Sequence, residues 1–251
     1  MFDCWTSFDV AGVHFCINFI FGIFAVAVLL FLVTFFVAFR KPSIVPGKFQ
    51  ALMEMGVEFV REQIVLQMIG PEGLPFFALL ATFFFMILFE NILEVIPGIN
   101  FSPNSRLAFP AVLAVISWVT YNTVGIRRHG PIGYLKMVLF PPGAPALLYI
   151  LLSPIEFISV ILVRPVTLSV RLFANLVAGH FLLAVFFLGT LALLQSGTLT
   201  VIGVLQPVFG AAAGVLAVGL VGFEIFVSLL QAFIFSVLSA SYIAGAMAEE
   251  H

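Results

Sequence analysis

The chain has 251 residues, of which 63% are hydrophobic and 9% charged, with a formal net charge of -2 and a mean hydropathy of +1.23. So little polar material cannot coat a water-soluble surface, and lipid must act as the solvent. The near-balanced charge offers neither a basic field for nucleic acid nor an acidic tail for a cationic partner. A bilayer has no water to satisfy backbone amides, so chains cross it as helices or closed barrels, and long uninterrupted apolar runs lack a barrel's alternation. The expected class is an all-α polytopic membrane protein, with about five transmembrane helices and one interfacial helix.

In chain order, Cys4 and Cys16 come first, without a CxxC spacing and with only His14 nearby, so neither metal nor redox chemistry is expected there. Residues 17–39 are apolar over the ~20 residues that a crossing needs and stop at Arg40-Lys41-Pro42. Those basic residues follow the run rather than precede it, which predicts a retained span and not a cleaved signal, with the N-terminus outside. Residues 47–69 interleave Lys48, Glu54, Glu58, Arg61 and Glu62 with apolar residues at helical spacing, the pattern of a helix lying on the membrane surface. Spans follow at 75–96, ending near Glu90, Asn91, Glu94 and Pro97-Gly98, and at 107–125, ending before Arg127, Arg128, His129 and Lys136.

The remaining apolar stretch is too long for two simple crossings and reads as two long tilted helices, 150–195 and 206–248. Arg40, Lys41, Lys48, Arg61, Arg127, Arg128 and Lys136 fall on one set of loops and Arg106 on the other, which places the first set in the cytoplasm. Five crossings then leave the C-terminus in the cytoplasm. No internal repeat or linker divides the chain, so residues 1–251 read as one membrane domain.

The last two helices carry polar residues where they are costly. An arginine near mid-membrane costs at least ~2.5–3.5 kcal/mol without a cavity or counter-charge, and Arg171 cannot shed its proton. Thr167, Arg171 and Asn175 lie one turn apart on one face, and Glu224, Ser228 and Gln231 form a second stripe. His180 and Glu224 could pair and pass protons near neutral pH. Arg171 cannot relay a proton, but its fixed charge favours the ionised form of an approaching carboxylate. Ser228, Thr167 and Ser169, taken singly, are equally at home as helix-joining hydrogen bonders. Arg164 either snorkels towards the headgroups or lines a path, and Glu156 precedes it on the same helix.

The segment Arg164-Pro165-Val166-Thr167-Leu168-Ser169-Val170-Arg171-Leu172-Phe173-Ala174-Asn175, with Gly179-His180, resembles the signature of subunit a of the rotary F-type ATP synthase. Leu230-Gln231-Ala232-Phe233-Ile234-Phe235 is similar to that family's last helix, and Asn91-Ile92-Leu93-Glu94-Val95-Ile96-Pro97 to the outer end of its second span. Phe140-Pro141-Pro142-Gly143 and the Glu249-Glu250-His251 end resemble bacterial, particularly actinobacterial, members.

The resemblance implies a multi-pass subunit of the bacterial cell membrane. It would be a stator that clasps a ring of c subunits and opens two offset half-channels to it, beside peripheral-stalk b subunits and the rest of the F1Fo complex. Arg171 would face the ring carboxylate with Asn175 and Gln231 beside it. His180 and Glu224 would serve the outer half-channel, with Asn91 and Glu94 near its mouth. The spacing from Glu156 to Arg164-Pro165 is one residue longer than the family pattern, which sets Glu156 apart from the inner half-channel group. No GxxxxGK[ST] loop occurs, so no nucleotide should bind; no cofactor or metal is expected, and the subunit would not be an enzyme on its own. Two other readings fit the polar stripes: a secondary transporter with a midplane site, though matched broken half-helices are missing, and a purely structural membrane subunit.

Overall fold

The computed structural model describes residues 6–10, 13–17, 19–41, 43, 45–96, 102–140, 149–195 and 201–248. Among these, five helical runs are long and apolar enough to cross a membrane: Phe19–Phe39, Pro71–Val95, Ala108–Leu139, Leu151–Leu193 and Val208–Met247. The chain is a multi-pass membrane protein whose membrane part is entirely helical. Ahead of it stands an antiparallel pair that the sequence reading did not anticipate: β1 (Thr6–Val10) and β2 (Val13–Ile17), registered Thr6 to Ile17 and Val10 to Val13.

Helix α1 (Phe19–Phe39) is held to α3 (Phe77–Val95) by phenylalanines, with Phe35 edge-on to Phe85 at 4.9 Å and Phe31 to Phe89 at 6.1 Å. Between them α2 (Lys48–Phe59) runs on through a π turn, Val60–Leu66, which buries Val60, Ile64 and Val65. The opposite side of α2 leaves Phe49, Leu52, Met55 and Phe59 exposed at helical spacing. An apolar stripe of that kind, bordered by Lys48, Glu54 and Glu58, suits the headgroup boundary better than water. Phe59 ties this helix inward, stacking on Phe84 of α3 at 5.9 Å and on Phe233 at 5.7 Å.

Helix α4 (Ala108–Leu139) outruns the expected span of 107–125 because it contains a break. Gly130 takes φ +73°, a conformation that L side chains rarely adopt, and Pro131 follows it. The ring of Tyr134 lies over Gly125, although nine residues of straight helix would separate them by ~13.5 Å, so the last turns fold back on the first part. Arg128 reaches Glu72, at the start of the preceding span, at 2.6 Å and ties the two ends together.

Helix α5 (Tyr149–Ile158), a π turn at Ser159–Val163 and α6 (Arg164–Gln195) form one continuous run; α7 (Val201–Met247) is the last element. The π turn immediately precedes Pro165. A proline lacks an N–H and clashes with the carbonyl one turn back, and a widened turn there accommodates both defects. Helices α6 and α7 pack on each other, α7 also on α3 and α4, and α6 on α4. At 43 and 40 residues, the apolar runs of the last two helices are each ~60 Å or more long. They fit a hydrocarbon layer of ~30 Å only when steeply inclined.

Candidate functional site: polar groups of the last two helices

Arg171, Thr167 and Asn175 recur on α6 at intervals of one turn, and Arg171 faces outward from the chain. Around it the outer face of α6 is apolar or small, with Val166, Val170, Ala174 and Ala178 all exposed. Phe223, Phe226, Leu229 and Leu230 of α7 are exposed as well. Among the described residues no carboxylate lies within ion-pair distance of Arg171. A permanent cation therefore stands, unpaired among the described residues, on a bare hydrophobic face within a membrane-spanning run.

The second stripe points inward. Glu224, Ser228 and Gln231 are all buried on α7, and Glu224 Oε2 and Gln231 Nε2 have no hydrogen-bond partner among the described residues. Between α6 and α7 lies a cavity of about 160 Å³ whose polar lining is Asn175, Glu224 and Ser228. That is room for several waters beside polar groups able to hold them. The glycine at 179 is what lets the helices meet here, since a Cβ at that position would collide with Glu224 Oε1.

His180 lies nine residues beyond Arg171, which turns it half-way round α6. Its side chain is half-exposed, and Nδ1 stands 3.6 Å from Oε1 of Glu94 on α3. That separation suits a charge interaction and exceeds a hydrogen bond. The geometry thus pairs the imidazole with Glu94, while Glu224 packs against the neighbouring Gly179. Asn91 is fully buried and accepts a hydrogen bond from Asn104 Nδ2 at 3.0 Å.

Arg164 and Glu156 lie apart from these groups. The guanidinium of Arg164 is half-buried and packs on the ring of Tyr242, 5.1 Å from its centroid, so it is held against α7 rather than stretched towards headgroups. Glu156 is half-buried on α5.

Two residues in this neighbourhood were not among the expected site residues. Glu90 is buried one turn before Glu94, and Asn104, also buried, sits in a short 3-10 turn, Pro103–Ser105, that packs against α6, α3, α4 and α1. For Glu90 the signal was present: two glutamates at i and i+4 inside an apolar span. Asn104 had none, because a loop residue's descent between helices leaves no periodicity.

Residues 19–244 match the family model described as ATP synthase A chain. The chain is 42% identical over 245 residues to ATP synthase subunit a of Parafrankia sp. (strain EAN1pec), covering 97% of this chain and 80% of the relative. It is 43% identical over 225 residues to ATP synthase subunit a of Nocardioides sp. (strain ATCC BAA-499 / JS614), covering 90% and 79%. With ATP synthase subunit a of Rhodococcus erythropolis (strain PR4 / NBRC 100887) the identity is 40% over 219 residues, covering 86% and 78%. A match across nearly the whole helical part, with relatives this similar over most of their own length, makes the chain a member of the ATP synthase A chain family.

Proposed function

We propose that this chain is the proton-translocating stator subunit of a rotary ATP synthase, a non-catalytic membrane component that works against a rotating ring of c subunits. The observation that carries this reading is Arg171, an unpaired cation on an apolar face inside a membrane-spanning run. Such a charge is tolerable when a carboxylate from another chain comes to meet it. Exposed Ala174 and Ala178 leave room for a close approach.

The mechanism follows from charge. A protonated ring carboxyl crosses lipid cheaply and an ionised one does not, so each site must be neutral before it leaves the interface. Protons enter through an outer half-channel containing Asn91, Glu94, His180 and Glu224, and pass to the ring beside Asn175, Ser228 and Gln231. After nearly a full turn the carboxyl approaches the inner half-channel, where the field of Arg171 favours its ionisation and releases the proton. Because a fixed guanidinium repels hydronium and cannot relay it, Arg171 also keeps the half-channels from short-circuiting. Each proton driven inward by 100 mV contributes ~2.3 kcal/mol to rotation.

The whole chain acts as one membrane domain of a bacterial cell membrane, joined to b subunits and the rest of the complex. Its N-terminus lies outside and its C-terminus in the cytoplasm. The basic loops support that orientation, and the Arg128–Glu72 contact sets the start of the second span beside the end of the third.

The test is ATP-driven acidification of inverted vesicles carrying Arg171→Ala, with passive proton leak recorded after the soluble sector is stripped. The expected result is an assembled complex in which pumping is abolished. Normal pumping by an assembled variant overturns the reading.

A further inference from the structure

The proton path proposed above leaves one buried carboxyl unused. Glu90 is 1% exposed, and its Oε2 has no hydrogen-bond partner. Isolated carboxyls are not retained in such places for packing, since an orphaned polar atom in an apolar interior costs several kcal/mol by transfer measurements, and an orphaned charge far more.

Three features define its surroundings. Glu90 and Glu94 stand one helical turn apart, so their carboxyls project from the same side of α3 at ~6 Å spacing. Asn104, 0% exposed, lies against Glu90 while its Nδ2 donates to Asn91 Oδ1, which leaves its own Oδ1 with no donor. The turn bearing Asn104 is locked in place: its backbone N–H donates to Ser102 Oγ at 3.2 Å, and Ser105 Oγ donates to the Ser102 carbonyl at 2.7 Å. The cluster thus keeps two acceptors, Glu90 Oε2 and Asn104 Oδ1, and one donor, Asn91 Nδ2, without partners among the described residues. A proton on Glu90 Oε2 turns one of those acceptors into a donor.

We propose that Glu90 is a further proton-binding residue, positioned by Asn104, that binds a proton at Oε2 and exchanges it with Glu94. The proposal rests on the proton-translocating reading above. Protonated Glu94 gives its proton, directly or through water, to Glu90 Oε2 and is left as the carboxylate; the return transfer restores Glu94 and leaves Glu90 ionised. No other bond changes. The neighbouring titratable group on α6 continues the route: His180 lies 3.6 Å from Glu94. On α3, which rises from the Glu72–Arg128 contact towards its outer end, Glu90 stands one turn deeper than Glu94, so a proton entering from outside meets Glu94 first. Asn104 is a positioning residue, since it carries no proton itself.

The test compares Glu90→Gln, Glu90→Asp and Arg171→Ala in the complete membrane complex, reading assembly, ATP-driven pumping and passive proton conductance of the stripped membrane sector. Loss of a proton-transfer group that water partly replaces predicts about a tenfold fall in conductance for assembled Glu90→Gln, with Glu90→Asp in between. Wild-type conductance in assembled Glu90→Gln overturns the assignment. If Arg171→Ala abolishes pumping in the same series, only the Glu90 step falls; if it does not, the underlying reading falls too. Should Glu90→Gln fail to assemble, infrared difference spectra of the wild type and Glu90→Asp decide. A carboxylic-acid band that appears on acidification and shifts in Glu90→Asp supports the proposal, and identical bands in the two proteins overturn it.

Discussion

Tyr121 and Tyr134 at one end of the helical bundle are hydrogen-bonded, while Glu90, Glu94 and Glu224 at the other keep unpartnered carboxyl oxygens. Towards the end of α5, Tyr121 of α4 donates its hydroxyl to the carbonyl of Val160 at 2.7 Å, inside the π turn that precedes Pro165. Tyr134 donates to Asn122 Oδ1 at 3.0 Å, Tyr121 meets Tyr242 edge-on, and Tyr242 carries Arg164 on its face. Around the end of α3, by contrast, Glu90, Glu94, Asn104 and Glu224 all keep at least one oxygen without a partner. A satisfied network fixes helices in place, whereas an unsatisfied one is ready to accept and surrender protons. Unpartnered carboxyls, rather than burial alone, set the end of α3 apart.

The comparison can be broken from either side. The largest effect is expected from Gly179→Val, whose side chain would take the space of the Glu224 carboxyl. Displacing that carboxyl predicts about a hundredfold loss of proton conductance in assembled complexes. Unchanged conductance in stripped vesicles would show that Glu224 does not work from this position.

An intermediate and qualitatively different outcome is expected from Tyr121→Phe. Removing the hydroxyl strands a buried carbonyl and costs about 1–3 kcal/mol of stability. The unfolding midpoint in detergent should drop while pumping per assembled complex is retained. A pumping defect without a stability defect would place Tyr121 in the pathway after all.

The smallest effect belongs to Ser239→Ala, which removes the 3.0 Å hydrogen bond from Ser117. Such bonds between membrane helices average about 0.6 kcal/mol, so unfolding should barely shift and conductance not at all. A loss of several kcal/mol there would mean that this contact carries more of the α4–α7 interface than its chemistry suggests.

What the sequence made legible follows the reach of helical periodicity. Arg171 with Asn175, and Glu224 with Ser228 and Gln231, share faces at turn spacing, and the structure keeps each set together. The partner of His180 was not legible, because it depends on which helix stands opposite, and α3 supplies Glu94 there. Asn104 reaches Asn91 across 13 positions through a loop, a contact that no local pattern encodes. The π turns at Val60–Leu66 and Ser159–Val163 were equally hidden. The hairpin was not: alternating stretches on either side of Ala11-Gly12 are a usable signal that composition overshadowed.

The length of the last two helices has a geometric consequence for a machine that turns. A run of 43 residues lies wholly within ~30 Å of hydrocarbon only at a lean of roughly 60° from the membrane normal. Each residue then advances only about 0.75 Å in depth but about 1.3 Å sideways. The nine residues from Arg171 to His180 therefore represent about 7 Å of descent and about 12 Å of travel in the plane of the membrane. An upright helix would stack the same residues above one another. A leaning one spreads them along the direction in which a neighbouring rotor moves, so that vertical entry of protons becomes a displacement around a circumference.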